Sequence, residues 1–183
     1  MTELTFITGN KHKLQSFYKY CNVPVTHVEL DLSEIQSLDV NTIVEHKAKE
    51  AFRIIKKPVL IEDVSLTFHA LGKLPGPLVK WFLEEIGNEG LCRLLHTYKD
   101  KSATASVTYG LYDGKELHLF YGEAKGTIAE QPMGTNDFGW TPIFIPEGYH
   151  ITWGQMNLED QGKTSMRKKA LMKLEKFLQD NEK

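Results

Sequence analysis

Three short segments of the chain carry residue types and spacings suited to chemistry on a polyphosphate. The first is Thr8-Gly9-Asn10-Lys11-His12-Lys13. A glycine lets the backbone approach an anion closely, a helix start presents unpaired N–H groups, and Lys13 adds a point charge. The second is Glu62-Asp63, which ends the apolar run Val59-Leu60-Ile61. Carboxylates at the carboxyl end of a buried strand point into a ligand crevice, where they can hold Mg²⁺ or activate water. Glu34, in Asp31-Leu32-Ser33-Glu34, is a further carboxylate of the same chemistry. The third is Asp137-Phe138-Gly139-Trp140-Thr141-Pro142, where two aromatics around a glycine could stack a nucleobase. Taken singly, each segment also fits a plainer structure: a turn with solvated lysines, strand-end charges facing water, or a turn anchored by aromatic packing.

Two other patterns fail on inspection. Gly162-Lys163-Thr164 ends like a phosphate-binding P-loop, but that motif needs a glycine five positions before Gly162, and Asn157 stands there. The seven histidines are scattered and form no His-x-x-x-His pair with an acidic neighbour, which argues against zinc.

Hydrophobic periodicity supplies the elements that must position these residues. Leu4 to Thr8 reads as a short buried strand, broken at Gly9-Asn10, and Lys11 to Cys21 as a helix with Leu14, Phe17 and Tyr18 on one face. Val25 to Leu30 reads as a second strand. Asn41 to Ile55 reads as a helix whose stripe is Val44, Ala48, Ala51, Phe52 and Ile55, with Pro58 stopping it. Val59 to Ile61 reads as a strand ending at Glu62-Asp63, and Leu71 to Pro77, rich in Gly and Pro, as a loop. Leu78 to Ile86 and Glu89 to His96 read as two short helices split at Gly87-Asn88. Ala103 to Tyr112 and Leu117 to Ala129 flank Asp113-Gly114, a strong hairpin signal. Ile143 to Ile145 reads as a short strand, and Ser165 to Leu178 as a final helix. No repeat or linker divides the chain, and the alternation of elements predicts an α/β or α+β fold with a mixed sheet.

Bulk properties narrow the function classes. The 183 residues suffice for one domain, or one domain in two lobes. Lys+Arg total 22 against 24 for Asp+Glu, so no basic excess exists to coat a nucleic-acid polymer, although a mononucleotide needs only a few local cations. Cys21 and Cys92 form no Cys-x-x-Cys pair and read as reduced thiols of a cytoplasmic protein. No basic segment leads into an apolar run at the start, and no run reaches the ~18 residues of a membrane span, so neither a signal peptide nor a membrane association is expected.

In order and at their spacing, these motifs resemble the inosine triphosphate pyrophosphatase family from about Phe6 to Leu178. Thr8-Gly9-Asn10-Lys11-His12-Lys13 is similar to the family's Thr-Gly-Asn-x-x-Lys loop. Pro58 to Asp63, Ala70 to Pro77 and Lys80-Trp81-Phe82-Leu83 resemble the eukaryotic form of its acidic motif. Phe138-Gly139-Trp140 and Ser165-Met166-Arg167 match parts of its base-binding motifs. The resemblance implies an elongated two-lobed α/β fold around a long mixed sheet, with an active-site cleft between the lobes. It also implies a single domain over residues 1–183, a homodimer, and Mg²⁺-dependent release of pyrophosphate from inosine and xanthosine triphosphates and their deoxy forms. By position, it implies that Thr8, Gly9, Asn10 and Lys13 bind the triphosphate and that Glu34 and Asp63 hold Mg²⁺ with Glu62 beside them. Asp63, Glu62 and Lys13 would serve catalysis, and Lys47 and Lys80 would face the phosphates and metal. Phe138, Gly139, Trp140, Thr141, Gln161, Ser165, Met166 and Arg167 would surround the base.

The chain departs from the family pattern at the base. Thr141 stands where Asp is expected, Gln161 where Lys is expected and Met166 where His is expected; Val64 replaces a Ser or Thr after the acidic pair. Three readings stay open: an active pyrophosphatase with the family's substrates, a pyrophosphatase for a different or modified nucleotide, and a catalytically weak nucleotide-binding homologue. The intact set of Lys13, Glu34 and Asp63 weighs against the last.

Overall fold

The computed structural model describes residues 4–135 and 139–181, so Phe138 lies outside the described residues. The strands are β1 (Leu4–Ile7), β2 (Val25–Val28), β3 (Val59–Phe68), β4 (Pro75–Gly76), β5 (Ser102–Tyr112), β6 (Leu117–Ile128) and β7 (Phe144–Pro146). The helices are α1 (Lys11–Tyr20), α2 (Val40–Ile55), α3 (Val79–Arg93), α4 (Leu158–Thr164) and α5 (Met166–Asp180).

One seven-stranded sheet runs in the order β2-β1-β3-β5-β6-β7, with β4 on β3. It is mixed, as expected: β1 lies parallel to β2 and β3, whereas β4 is antiparallel to β3 and β7 to β6. All four residues of β1 are buried, which is how a central parallel strand with both faces covered should read. The stripe of α2 packs as its period requires. Val44, Ala48 and Ala51 form one core cluster with Ile7, Val59 and Ile61, and Phe52 and Ile55 pack against it.

The reading of β3 needs correction. The strand does not end at Glu62-Asp63; it continues to Phe68, with Leu66 and Phe68 fully buried. Two adjacent charges looked like a terminator, but each is neutralised by a tertiary partner described below, so the backbone ladder carries on through them. The Gly/Pro stretch 71–77 is likewise not all loop, because Pro75 and Gly76 pair with Thr67 and Leu66. The break at Gly87 is real: it sits at φ 64°, ψ −177° inside α3, a conformation that glycine adopts without a Cβ clash. Helix α4 was not anticipated. Asn157 caps it by accepting from the Asp160 N–H at 2.9 Å, and Glu159 and Asp160 occupy its first turn, where negative charge suits the dipole. Gly162-Lys163-Thr164 is therefore the last turn of a helix, not a loop in front of one.

The chain gathers into two compact units. The first takes the chain up to Val64, Val107–Gly122 and the chain from Arg167 on; the second takes Ser65–Ser106 and Glu123–Met166. In the first, Ala170, Leu171 and Leu174 of α5 are fully buried, and Phe177 meets the rings of His118 and Phe120. In the second, Trp140, Phe144 and Trp153 form an aromatic cluster. Among the described residues, no helix is long and apolar enough to cross a membrane.

Candidate active site

The β1–α1 turn forms as the sequence suggests. Asn10 is the N-cap of α1, and its Oδ1 accepts from the backbone N–H groups of His12 at 2.9 Å and Lys13 at 3.4 Å. The unpaired N–H groups expected at this helix start are thus partly taken by the cap itself. The Asn10 N–H donates to Thr8 Oγ1 at 3.1 Å, and the Thr8 N–H donates to the Val28 carbonyl at 3.1 Å, which ties the turn to β2. A Cβ on Gly9 would meet no protein atom within 4 Å, and Gly9 has no positive φ. Nothing inside the protein therefore demands glycine there, and the bare backbone faces open space, as close approach of a ligand requires.

Lys13 reaches from this turn to β3 and donates from Nζ to the Glu62 carbonyl at 2.8 Å. Strand alternation sends the Glu62 and Asp63 side chains to opposite faces. The Asp63 Oδ2 accepts from Lys47 Nζ at 2.8 Å, and its Oδ1 accepts from the Val64 N–H at 2.9 Å. Lys47 also donates to Glu34 Oε1 at 2.9 Å, so one ammonium joins two carboxylates from distant segments. Burial works against the charge on Lys47, but the field and hydrogen bond of Asp63, with those of Glu34, outweigh it and raise its pKa above the ordinary lysine range. The Glu34 segment is itself tied to α2, since Ser33 donates from its N–H and hydroxyl to the Glu50 carboxylate at 3.0 and 3.1 Å.

Glu62 is spoken for on the other face. Its carboxylate is wholly buried, accepts from the Tyr109 hydroxyl at 2.6 Å, and accepts from Arg167 Nη2 and Nε at 3.0 and 3.2 Å. Burial first, then the Glu62 charge, pushes the Tyr109 phenol well above its usual range. Burial also penalises the Arg167 charge, yet Glu62 more than restores it. Sequence reasoning missed Tyr109, an interior strand tyrosine with no local motif, and Glu50, which lies three residues after Lys47. Helical spacing puts 47 and 50 on one side of α2, the only signal that could have found Glu50.

The remaining candidates belong to the second unit. The Lys80 ammonium lies over the Trp81 ring, 5.4 Å from its centroid. Trp140 is buried in the aromatic cluster, Thr141 opens a short 3₁₀ turn, and the Gly139 carbonyl accepts from Asn88 Nδ2 at 2.9 Å. Gln161 donates from Nε2 to the carbonyls of Trp153 at 2.9 Å and Met156 at 3.4 Å. Ser165 follows α4 and the buried Met166 opens α5.

Glu34 and Asp63 are suited to a divalent metal. Both place an oxygen on the same nitrogen, so they converge on a single cation position. Among the described residues, no group of three or more His, Cys, Asp or Glu could hold a metal ion. Two carboxylates leave a divalent cation coordination positions for water and for oxygens of a ligand.

The chain is 40% identical over 183 residues to the inosine triphosphate pyrophosphatase of Schizosaccharomyces pombe, covering 98% of this chain and 96% of that one. It is 42% identical over 180 residues to that of Yarrowia lipolytica, covering 96% and 95%. Among solved structures, the fold superposes on a HAM1 protein from Coxiella burnetii with a TM-score of 0.86 at 23% identity, covering 98% of this chain and all of that one, 100%. It superposes on the Staphylococcus aureus Ham1 protein with a TM-score of 0.84 at 24% identity, covering 97% and 99%. The Ham1 family model matches residues 4–177, which include the β1–α1 turn, β3 and the start of α5, and the chain belongs to the Ham1 family.

Proposed function

We propose that this chain hydrolyses nucleoside triphosphates to the monophosphate and pyrophosphate, acting on inosine and xanthosine triphosphates and their deoxy forms to cleanse the nucleotide pool. The observation that carries the reading is the convergence of Lys13, Glu34, Lys47 and Asp63 on one stretch of β3. The relatives named inosine triphosphate pyrophosphatase supply the substrate class. Thr8, Gly9, Asn10 and Lys13 receive the triphosphate, with Lys47 adding positive charge. Glu34 and Asp63 hold Mg²⁺, which when bound neutralises phosphate charge and polarises the α-phosphoryl group. Asp63 takes the proton of the attacking water as its oxygen bonds to the α-phosphorus and the bond to the pyrophosphate oxygen breaks. Glu62 serves this site through its carbonyl, which holds Lys13, rather than through its carboxylate. The protein works as a cytoplasmic homodimer, by analogy with the family it resembles. A pyrophosphate-release panel over the common and deaminated nucleoside triphosphates, with and without Mg²⁺, tests the reading; no release from any of them would sink it.

One observation favours altered base choice within the same reaction. The Gln161 amide nitrogen is committed to two backbone carbonyls, and flipping the amide would set its oxygen against both. Its remaining group toward a ligand is an acceptor, which cannot reward a 6-oxo purine as a lysine donor would.

A further inference from the structure

The structure points to a cation exchange at Lys47: in the nucleotide-free protein its ammonium occupies the cation position between Glu34 and Asp63, so that a divalent metal enters only together with a triphosphate that draws the ammonium away. This deepens the proposed function and rests on its assignment of the metal carboxylates.

The ammonium sits 2.9 Å from Glu34 and 2.8 Å from Asp63, a bridging position rather than a flanking one. The side chains of Lys47 and Asp63 are only 12% and 13% exposed, so a second cation beside the ammonium would meet it at short range in partly desolvated surroundings. Lys47 cannot leave through a shift of its helix, because Val44, Ala48 and Ala51 beside it are fully buried. Only its flexible stem can move. The carboxylates do not need the ammonium to stay in place. Asp63 is also held by the Val64 N–H, and the Glu34 segment is held by Ser33 on Glu50. Asp63 and the segment that carries Glu34 thus each have an anchor besides the ammonium. A triphosphate brings anionic oxygens that satisfy both cations at once and remove the conflict between them.

Mn²⁺ alone, titrated without nucleotide and read by electron paramagnetic resonance of the free ion, tests the exchange. Lys47→Met keeps the stem and removes the charge; it should bind Mn²⁺ at least ~10-fold more tightly than the parent, as expected when a like charge at hydrogen-bond range is deleted. Lys47→Arg keeps the charge and should bind as weakly as the parent. Unchanged or weaker binding by Lys47→Met would overturn the proposal and make Lys47 a positioning group for the carboxylates. Arginine behaving like methionine would overturn it too, as would a gain that persists when Asp63→Asn is added. Lys47→Gln replaces the methionine variant if that one shows no cooperative melt. Pyrophosphate release by the parent is scored separately. An active parent with no Mn²⁺ gain in Lys47→Met refutes the exchange and leaves the function standing, whereas an inactive parent refutes the function whatever the Mn²⁺ titration gives.

Discussion

Replacing Glu62 by glutamine separates the two neighbouring carboxylates of β3 by what they do. Glu62 is wholly buried and receives three bonds, at 2.6 Å from Tyr109 and at 3.0 and 3.2 Å from Arg167. Glutamine keeps the shape but leaves the Arg167 guanidinium without its counter-charge and turns an amide N–H₂ toward donors. Breaking one side of a buried ion pair costs about 3–5 kcal/mol, a large share of the ~5–15 kcal/mol that holds a domain together. For a chain of this size that corresponds to a fall in Tm of about 6–20 °C. Asp63→Asn should behave in the opposite way. It removes a partner of Lys47 on the face of the strand opposite Glu62, so stability should change little while turnover, on the proposed function, should fall by ~100-fold or more. Calorimetry or urea melts, paired with pyrophosphate release well below the melting range, read both variants. A double variant, Glu62→Gln with Arg167→Met, should recover part of the lost stability because it no longer buries an unpaired charge. The reasoning is refuted if Glu62→Gln melts within ~2 °C of the parent, or if Asp63→Asn keeps near-parental turnover at saturating Mg²⁺.

Lys13→Ala should weaken triphosphate binding by about 1.5–3 kcal/mol while leaving nucleoside binding nearly unchanged, as isothermal titration of both ligands would show; equal losses would contradict a phosphate role. Gln161→Lys should raise the ratio of kcat/KM for inosine over adenosine triphosphate by roughly 10-fold or more, since it returns a charged donor beside a base acceptor; a parent that already prefers inosine triphosphate by more than ~1000-fold would contradict weakened selectivity. Stability should decline in alkali. Burial holds the Cys21 thiol up at about 12 and the Cys92 thiol at about 11, against an ordinary 9.0. Groups raised on folding stabilise fully below the unfolded value and lose that stabilisation as pH climbs through the folded one, so urea melts should weaken progressively from about pH 9 to about pH 12. The same neutral, buried thiols should resist disulfide reagents in the native state near neutral pH, and rapid labelling would argue against their burial.

Much of this protein is local information. The buried run Leu4 to Ile7, the Gly9-Asn10 break and the stripe of α2 follow from periodicity and capping chemistry, which act over a few residues. Gly87 and the Asp113-Gly114 turn are legible for the same reason, because backbone conformations at those points favour particular residue types. Membership of the Ham1 family was also legible as an ordered set of motifs. The long-range decisions were not. Which of Glu62 and Asp63 is buried depends on which side of β3 holds Tyr109 and Arg167, which lie 47 and 105 positions from Glu62 in the chain. Adjacent charges ordinarily end a buried strand, and Tyr109 and Arg167 on Glu62 together with Lys47 on Asp63 let β3 run on to Phe68. Helix α4 hid because its seven residues are mostly polar and none is buried, so it carries a cap but no stripe. A period can reveal which face of an element is apolar, but the partner of a buried charge is set by packing between segments, and that exists only once the chain has folded.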